Sequence, residues 1–119
     1  MKTVAVHNLS RQVQLAARAG HATGFFERGR GLLGSPEPRA GEGLVIEPCN
    51  SVHMFFMGYS LDVIFADAQL TVTACVPELA PWTMSPMVWG SRYAIELPVG
   101  CIAASGTQVG DRLGLGEPS

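Results

Sequence analysis

LDVIFADAQLTVTACV, residues 61–76, decides the fold class. Leu61, Val63 and Phe65 fall on one face, with Asp62, Ile64 and Ala66 on the other. Leu70, Val72, Ala74 and Val76 then alternate with Gln69, Thr71, Thr73 and Cys75. A period of two identifies strands, whose successive side chains point to opposite faces. Asp67-Ala68 between the runs predicts a turn, so the pair reads as a hairpin.

The pattern continues on both sides. Upstream, Leu44-Val45-Ile46 is a short apolar run followed by Pro48, and Val52–Met57 (VHMFFM) is apolar apart from His53 and stops at Gly58. Downstream, residues 77–91 carry three prolines and read as a loop or a broken edge, which either presents Trp82 and Trp89 as a ligand lid or partner surface or, the favoured reading in so short a chain, folds over one end and buries them. Tyr93, Ile95 and Leu97 alternate with Arg92, Ala94 and Glu96. With Asp111, Arg92 and Glu96 read as solvated or turn residues. Ile102–Ser105 predicts one helical turn closed by Gly106, and Val109–Leu113 a turn into a last short strand, with 114–119 a frayed tail.

Toward the N-terminus, Gln14–Ala19 is rich in helix formers, and Thr23 is a candidate cap for a second turn from Gly24 to Arg30. Four glycines between 20 and 31 argue against one long helix. The expectation is a mostly-β chain: a compact antiparallel barrel or sandwich with one or two short helices near the N-terminus.

A chain of 119 residues fits one domain over 1–119. Its 47% apolar against 15% charged residues supply a core without disulfides or metal. Charge is unevenly divided: residues 1–43 carry a net +3 and residues 44–119 a net −5, which together give −2. Scattered arginines in the first half and an acidic second half do not make the clustered basic surface that displaces phosphate counterions, so nucleic acid is not an expected partner. Cys49, Cys75 and Cys101 are an odd count without a CxxC pair and read as buried hydrophobes in a reducing compartment. With neither a secretory nor a membrane-spanning apolar stretch, the expected location is cytoplasmic, with no membrane partner.

Six pieces occur in a fixed order: RGLLG at 30–34, CNSVHMFFM at 49–57, LDVIFAD at 61–67, PW at 81–82, ELPVG at 96–100 and VGDRL at 109–113. Together they resemble the bacterial and archaeal family called domain of unknown function 192, over residues 23–113. The resemblance implies a compact, mainly antiparallel β fold with short helices, and no activity. Where family members often carry a basic residue after FFM and a proline before the next strand, this chain has Gly58 and Ser60. Thr83 stands where a basic residue often follows PW. If those positions hold an anion elsewhere in the family, that capacity is in doubt here.

The densest chemistry is Cys49, Asn50, Ser51 and His53, with Asp62 further on. A Cys–His–acid set is nucleophilic only if the imidazole reaches the sulfur. On a regular strand Cys49 and His53 would stand about 13 Å apart, so contact needs a turn at Asn50-Ser51. Cys49, His53, Met54 and Met57 are soft donors suited to copper(I), yet His53 and Met54 would point to opposite faces. No metal and no cofactor is expected. Asp62, flanked by apolar residues, must be hydrogen-bonded or paired if buried, with Ser51, Asn50 or an arginine as candidates. The leading expectation is a non-catalytic domain that binds a small molecule or peptide near Cys49, Asn50, His53, Asp62 and Trp82. The alternatives are a hydrolase or transferase using Cys49 or Asp62, and a structural homodimer module.

Overall fold

A computed structural model describes residues 1–119. Seven strands and two short helices follow one another: β1 (Lys2–Asn8), β2 (Val13–Ala22), α1 (Phe25–Arg30), β3 (Glu42–Ile46), β4 (Leu61–Ala66), β5 (Val72–Leu79), β6 (Tyr93–Leu97), α2 (Cys101–Ser105) and β7 (Leu113–Gly116). They form a single sheet in the order β5-β4-β6-β3-β2-β1-β7. All neighbours are antiparallel except β2 and β3, which run parallel because the 19 residues between them, α1 included, cross back over the sheet.

The sheet curls into a half-barrel whose edges meet at one end. The Val72 and Leu113 N–H groups donate to Asp111 O and Leu70 O at 2.8 Å each, and Gly110 N–H donates to Val72 O at 2.9 Å. Inside the curl pack Val6, Leu15, Ala19, Val45, Ile64, Ile95, Leu97 and Leu113. The outer face of the central strands is apolar too. Leu44, Ile46, Val63, Phe65 and Ala94 lie under Val52, Met54 and Met57, with Leu32, Leu33 and Val88 at the margin. β4 is therefore buried at all six positions.

The mostly-β expectation holds, and so does the placement of Leu61, Val63 and Phe65 opposite Ile64 and Ala66. The helices do not cluster near the N-terminus: α1 lies at 25–30, and α2 lies toward the other end, closed by Gly106 in the left-handed conformation (φ 71°). Four details differ. Gln14–Ala19 is strand: β2 hydrogen-bonds to β1 on one side and β3 on the other and buries Leu15, Ala16 and Ala19, so pairing and burial outweigh a weak helical propensity. The hairpin turn runs from Asp67 to Leu70, with Asp67 Oδ1 accepting from the N–H groups of Gln69 (2.9 Å) and Thr71 (3.0 Å). A bulge at Thr73 flips the register of β5, so Val72 and Cys75 face inward while Ala74 and Val76 face outward. Residues 114–119 are not frayed: Gly114–Gly116 continue β7 against β1, and Ser119 N–H donates to Ala17 O at 3.0 Å.

α1 starts at Gly24 rather than on a Thr23 side-chain cap; Glu27 Oε1 accepts from the N–H groups of both residues at 3.2 Å. No helix is long and apolar enough to cross a membrane. Tightest of the backbone approaches is Gly43, where a Cβ would stand 2.6 Å from Glu96 O and 3.0 Å from Leu97 Cδ2. Gly43→Ala forces β3 from β6 and is expected to lower stability by about 1–3 kcal/mol. Urea denaturation checks this, and an unchanged midpoint would contradict the close strand approach.

Candidate functional site

The layer over the outer face is built from three irregular segments. After β3 the chain runs extended from Cys49 to Met54 and pairs with residues 82–88. Val88 N–H donates to Asn50 O (2.8 Å) and Ser85 N–H to Val52 O (2.8 Å), while Met54 N–H and Trp82 N–H bond to Thr83 O and Met54 O (2.7 Å each). The Ser85 hydroxyl accepts the Val52 N–H at 2.9 Å. Alternation along this ribbon turns Val52 and Met54 down onto the sheet and leaves His53 and Phe55 outside. A third piece, the loop after α1, is fastened by the Tyr59 hydroxyl beside the carbonyls of Leu32 and Ser35 (3.3 and 3.1 Å).

Where these pieces meet the sheet they leave a small cavity of about 60 Å³, lined by Arg28, Gly31, Cys49, Ser51, His53 and Glu96 among others. Glu96 forms its floor. It sits mid-sheet on β6, opposite Leu44 of β3 and Val63 of β4, and is 4% exposed. Its Oε1 has no hydrogen-bond partner. Burial pushes its carboxyl up from the usual range to about 7. Gly31, at φ 54° and ψ −128°, closes the wall above it; a Cβ there would lie 3.7 Å from Oε1. Arg28, another lining residue, has its Nε buried without a partner as well.

An aromatic rim runs outward from two of the lining residues, His53 and Phe55. His53 stacks on Phe55 (ring centroids 5.2 Å), Phe55 stands 6.5 Å from Trp82, and Trp82 lies 4.7 Å from Phe56. Phe56 and Trp82 are 71% and 60% exposed, and both have left-handed backbones, at φ 65° and 66°. A bulky residue in that region costs on the order of 1–3 kcal/mol. Exposed rings recover little of that cost by burial.

The residues expected from sequence divide between the two faces. Cys49 and His53 line the cavity and Trp82 joins its rim, while Asn50 lies beside it in the covering ribbon with its carbonyl bonded to Val88. Asp62 belongs elsewhere. On the inner face and 1% exposed, it accepts from Glu78 N–H (2.9 Å), Gly100 N–H (3.2 Å) and Ile102 N–H (2.8 Å), so it ties α2 to the β5 edge rather than bonding Ser51, Asn50 or an arginine. The loop 77–91 does not bury its tryptophans; Trp89 is 81% exposed. Nor is Glu96 a solvated strand residue, since the covering layer encloses it. Asp111 is buried as well, held low by hydrogen bonds from Asn8 (3.0 Å) and Arg11 (2.7 Å). The available signal for Glu96 was its place at the head of the ELPVG motif and on the same face as Ala94.

The chain belongs to the domain of unknown function 192 family, whose model, described as "Uncharacterized ACR", matches residues 6–115. A UPF0127 protein of the archaeon Pyrococcus abyssi is 34% identical over 89% of this chain and 92% of its own length. A second, from Thermococcus sibiricus, is 34% identical over 75% of this chain, and the match spans 60% of that relative. Two crystal structures share the fold with TM-scores of 0.80. One is a protein of unknown function from Novosphingobium aromaticivorans, 22% identical over 94% of this chain and 83% of its own. The other is described as a candidate transcription regulator from Sinorhizobium meliloti, 20% identical over 95% and 92%.

The buried carboxyl makes stability depend on pH. Glu96 titrates at about 7 in the fold and at the ordinary 4.5 unfolded, so the folded state holds the extra proton between those values and loses stability as pH rises through them. Wild type is expected to lose about 3 kcal/mol relative to Glu96→Gln between pH 4.5 and pH 8. Urea unfolding of both proteins across that range is the measurement; parallel curves would place Glu96 in water.

Proposed function

We propose that this member of the domain of unknown function 192 family is a non-catalytic binding module, which seats the polar end of a small molecule on Glu96 and lays the rest across the aromatic rim. One observation carries the reading: a carboxylate oxygen, buried mid-sheet and facing a cavity, has no partner. Leaving such an atom unsatisfied costs about 1–3 kcal/mol, which a ligand donor recovers on binding. The strained, exposed Phe56 and Trp82 support it, because rings held out of the core at a cost are available to a ligand.

Catalysis through Cys49 or Asp62 is the weaker reading. The Cys49 thiol donates to Ser51 O at 3.1 Å, and burial pushes it above its usual pKa, away from the reactive thiolate. Both Asp62 oxygens are taken by backbone N–H groups. We also place the protein in a reducing compartment such as the cytoplasm, a reading that its three unpaired cysteines support.

Two measurements test this. In a fragment screen followed by amide NMR, hits are expected to shift Gly31, Cys49, His53 and Glu96 and to lose most of their affinity in Glu96→Ala. Hits that bind the variant equally well, or none at the cavity, would remove the reading. Mass mapping after iodoacetamide at neutral pH is expected to find Cys49 alkylated several-fold more slowly than free cysteine. Faster modification would favour the nucleophile instead.

A further inference from the structure

The layer that covers the outer face turns a second apolar surface outward. Phe55, Phe56, Trp82, Met84, Met87 and Trp89 are large hydrophobic residues left exposed, and all six belong to the two paired segments of that layer. Ring contacts join Phe55, Trp82 and Phe56, and the antiparallel bridge between His53 and Met84 sets Met84 beside the ring that stacks on Phe55. Ser85 and Val88 turn inward, which leaves Met84, Met87 and Trp89 on the outer side of the same segment. No Asp, Glu, Lys or Arg occurs from Pro48 to Leu61 or from Leu79 to Ser91. We infer that this face is the contact between two copies of the chain, related by a two-fold axis.

Size and charge select that occupant. With about 150–250 Å² for a fully buried aromatic side chain and a similar figure for Met, the six residues at their observed exposures offer on the order of 700 Å². The largest apolar patch of an ordinary monomer is about 300–600 Å², and each partner in a standard interface contributes about 800 Å². The face is therefore larger than a lone chain usually leaves bare and close to what a stable contact takes. Met84, Met87 and Trp89 belong neither to the cavity nor to the aromatic rim, so a small molecule seated there leaves half of the face uncovered. Trp, Phe and Met without charge is the composition of an interface core. Such a face offers nothing to a partner chosen by opposite charge, whereas two identical uncharged faces meet without repulsion. An anionic membrane calls for basic residues among the apolar ones, and these segments have none. Burial against a second copy also offsets the cost of holding Phe56 and Trp82 in left-handed backbones. The inference goes beyond the binding reading and does not depend on it.

Both tryptophans of the chain lie in this face, so their emission reports on it. The full chain, 12.6 kDa as a monomer, is followed by sedimentation velocity and tryptophan fluorescence. A range of about 1 to 100 µM spans the weak end of interfaces of this size. The expected result is a dimer of twice the monomer mass, whose emission shifts to the red as dilution dissociates it. Met84→Glu and Trp89→Glu each bury a charge in an apolar contact and are expected to weaken the dimer about 100-fold or more. Both positions are exposed in the single chain, so the variants keep its fold, and the wild-type dilution series needs no variant at all. Val109→Glu, equally exposed but in the loop before β7, is expected to leave the dimer intact. A chain that stays monomeric throughout the range would overturn the inference, and so would a dimer that neither Met84→Glu nor Trp89→Glu weakens. A monomer that floats with phosphatidylcholine vesicles would give the face to a membrane instead. Cavity shifts in the fragment screen are read separately, so the binding module stands or falls on its own.

Discussion

Strands β3, β6 and β4 are buried on both faces, and the rest of the molecule is arranged around that constraint. A sheet strand with one wet face needs only one apolar layer. Here Val45, Ile64 and Ile95 fill the inside of the curl while Leu44, Ile46, Val63, Phe65 and Ala94 stand outward. Left bare, that outer row would be an apolar patch of the kind that drives association. The chain covers it with its own irregular segments, the ribbon 49–59 with 82–88 and the loop after α1. These have few regular ladders and are held by single bonds such as Val52 N–H to the Ser85 hydroxyl.

Two buried carboxylates show how differently that architecture treats a charge. Asp62 lies at the end of β4 and collects three backbone N–H groups, which explains its burial fully: it holds α2 and the β5 edge in place. Glu96 lies in the middle of the neighbouring strand, under the covering layer, with an oxygen that nothing bonds. An apolar residue at position 96 would pack against Leu44 and Val63 without the desolvation penalty. The two buried side-chain polar atoms without partners, this oxygen and Arg28 Nε, belong to residues that line the same cavity. Such concentration in one place is what a site looks like when local consistency yields to function.

Much of this was readable from the chain alone. The alternation of 61–66 and 93–97 located strands and their faces, Gly106 located the end of α2, and the ordered motifs located the family. The misses have separate physical causes. Gln14–Ala19 has helix formers by composition, but small residues also suit a strand squeezed between two partners, and only β1 and β3 reveal which applies. A bulge leaves no mark in an alternation such as 69–76, because inserting one residue preserves the letters while exchanging their faces. Of the site, Cys49, His53 and Trp82 stand out by their chemistry, and so does Asp62, although it points into the opposite core.

Glu96 exposes the general limit. A period of two tells which residues share a face; it says nothing about whether that face meets water. Arg92, Ala94 and Glu96 form one row, yet Arg92 is exposed and paired with Glu47 at 3.0 Å while Glu96 is enclosed. The difference lies in segments distant in the chain, Arg28–Leu33 and Cys49–Met57, which fold over one end of the row and not the other. Coverage of this sort is a long-range property, and a polar residue beneath it passes for a surface residue until the cover is in place. The fact that hid Glu96 from a pattern reading is therefore the fact that makes it useful: the same layer that removes it from water also shapes the cavity and carries the aromatic rim.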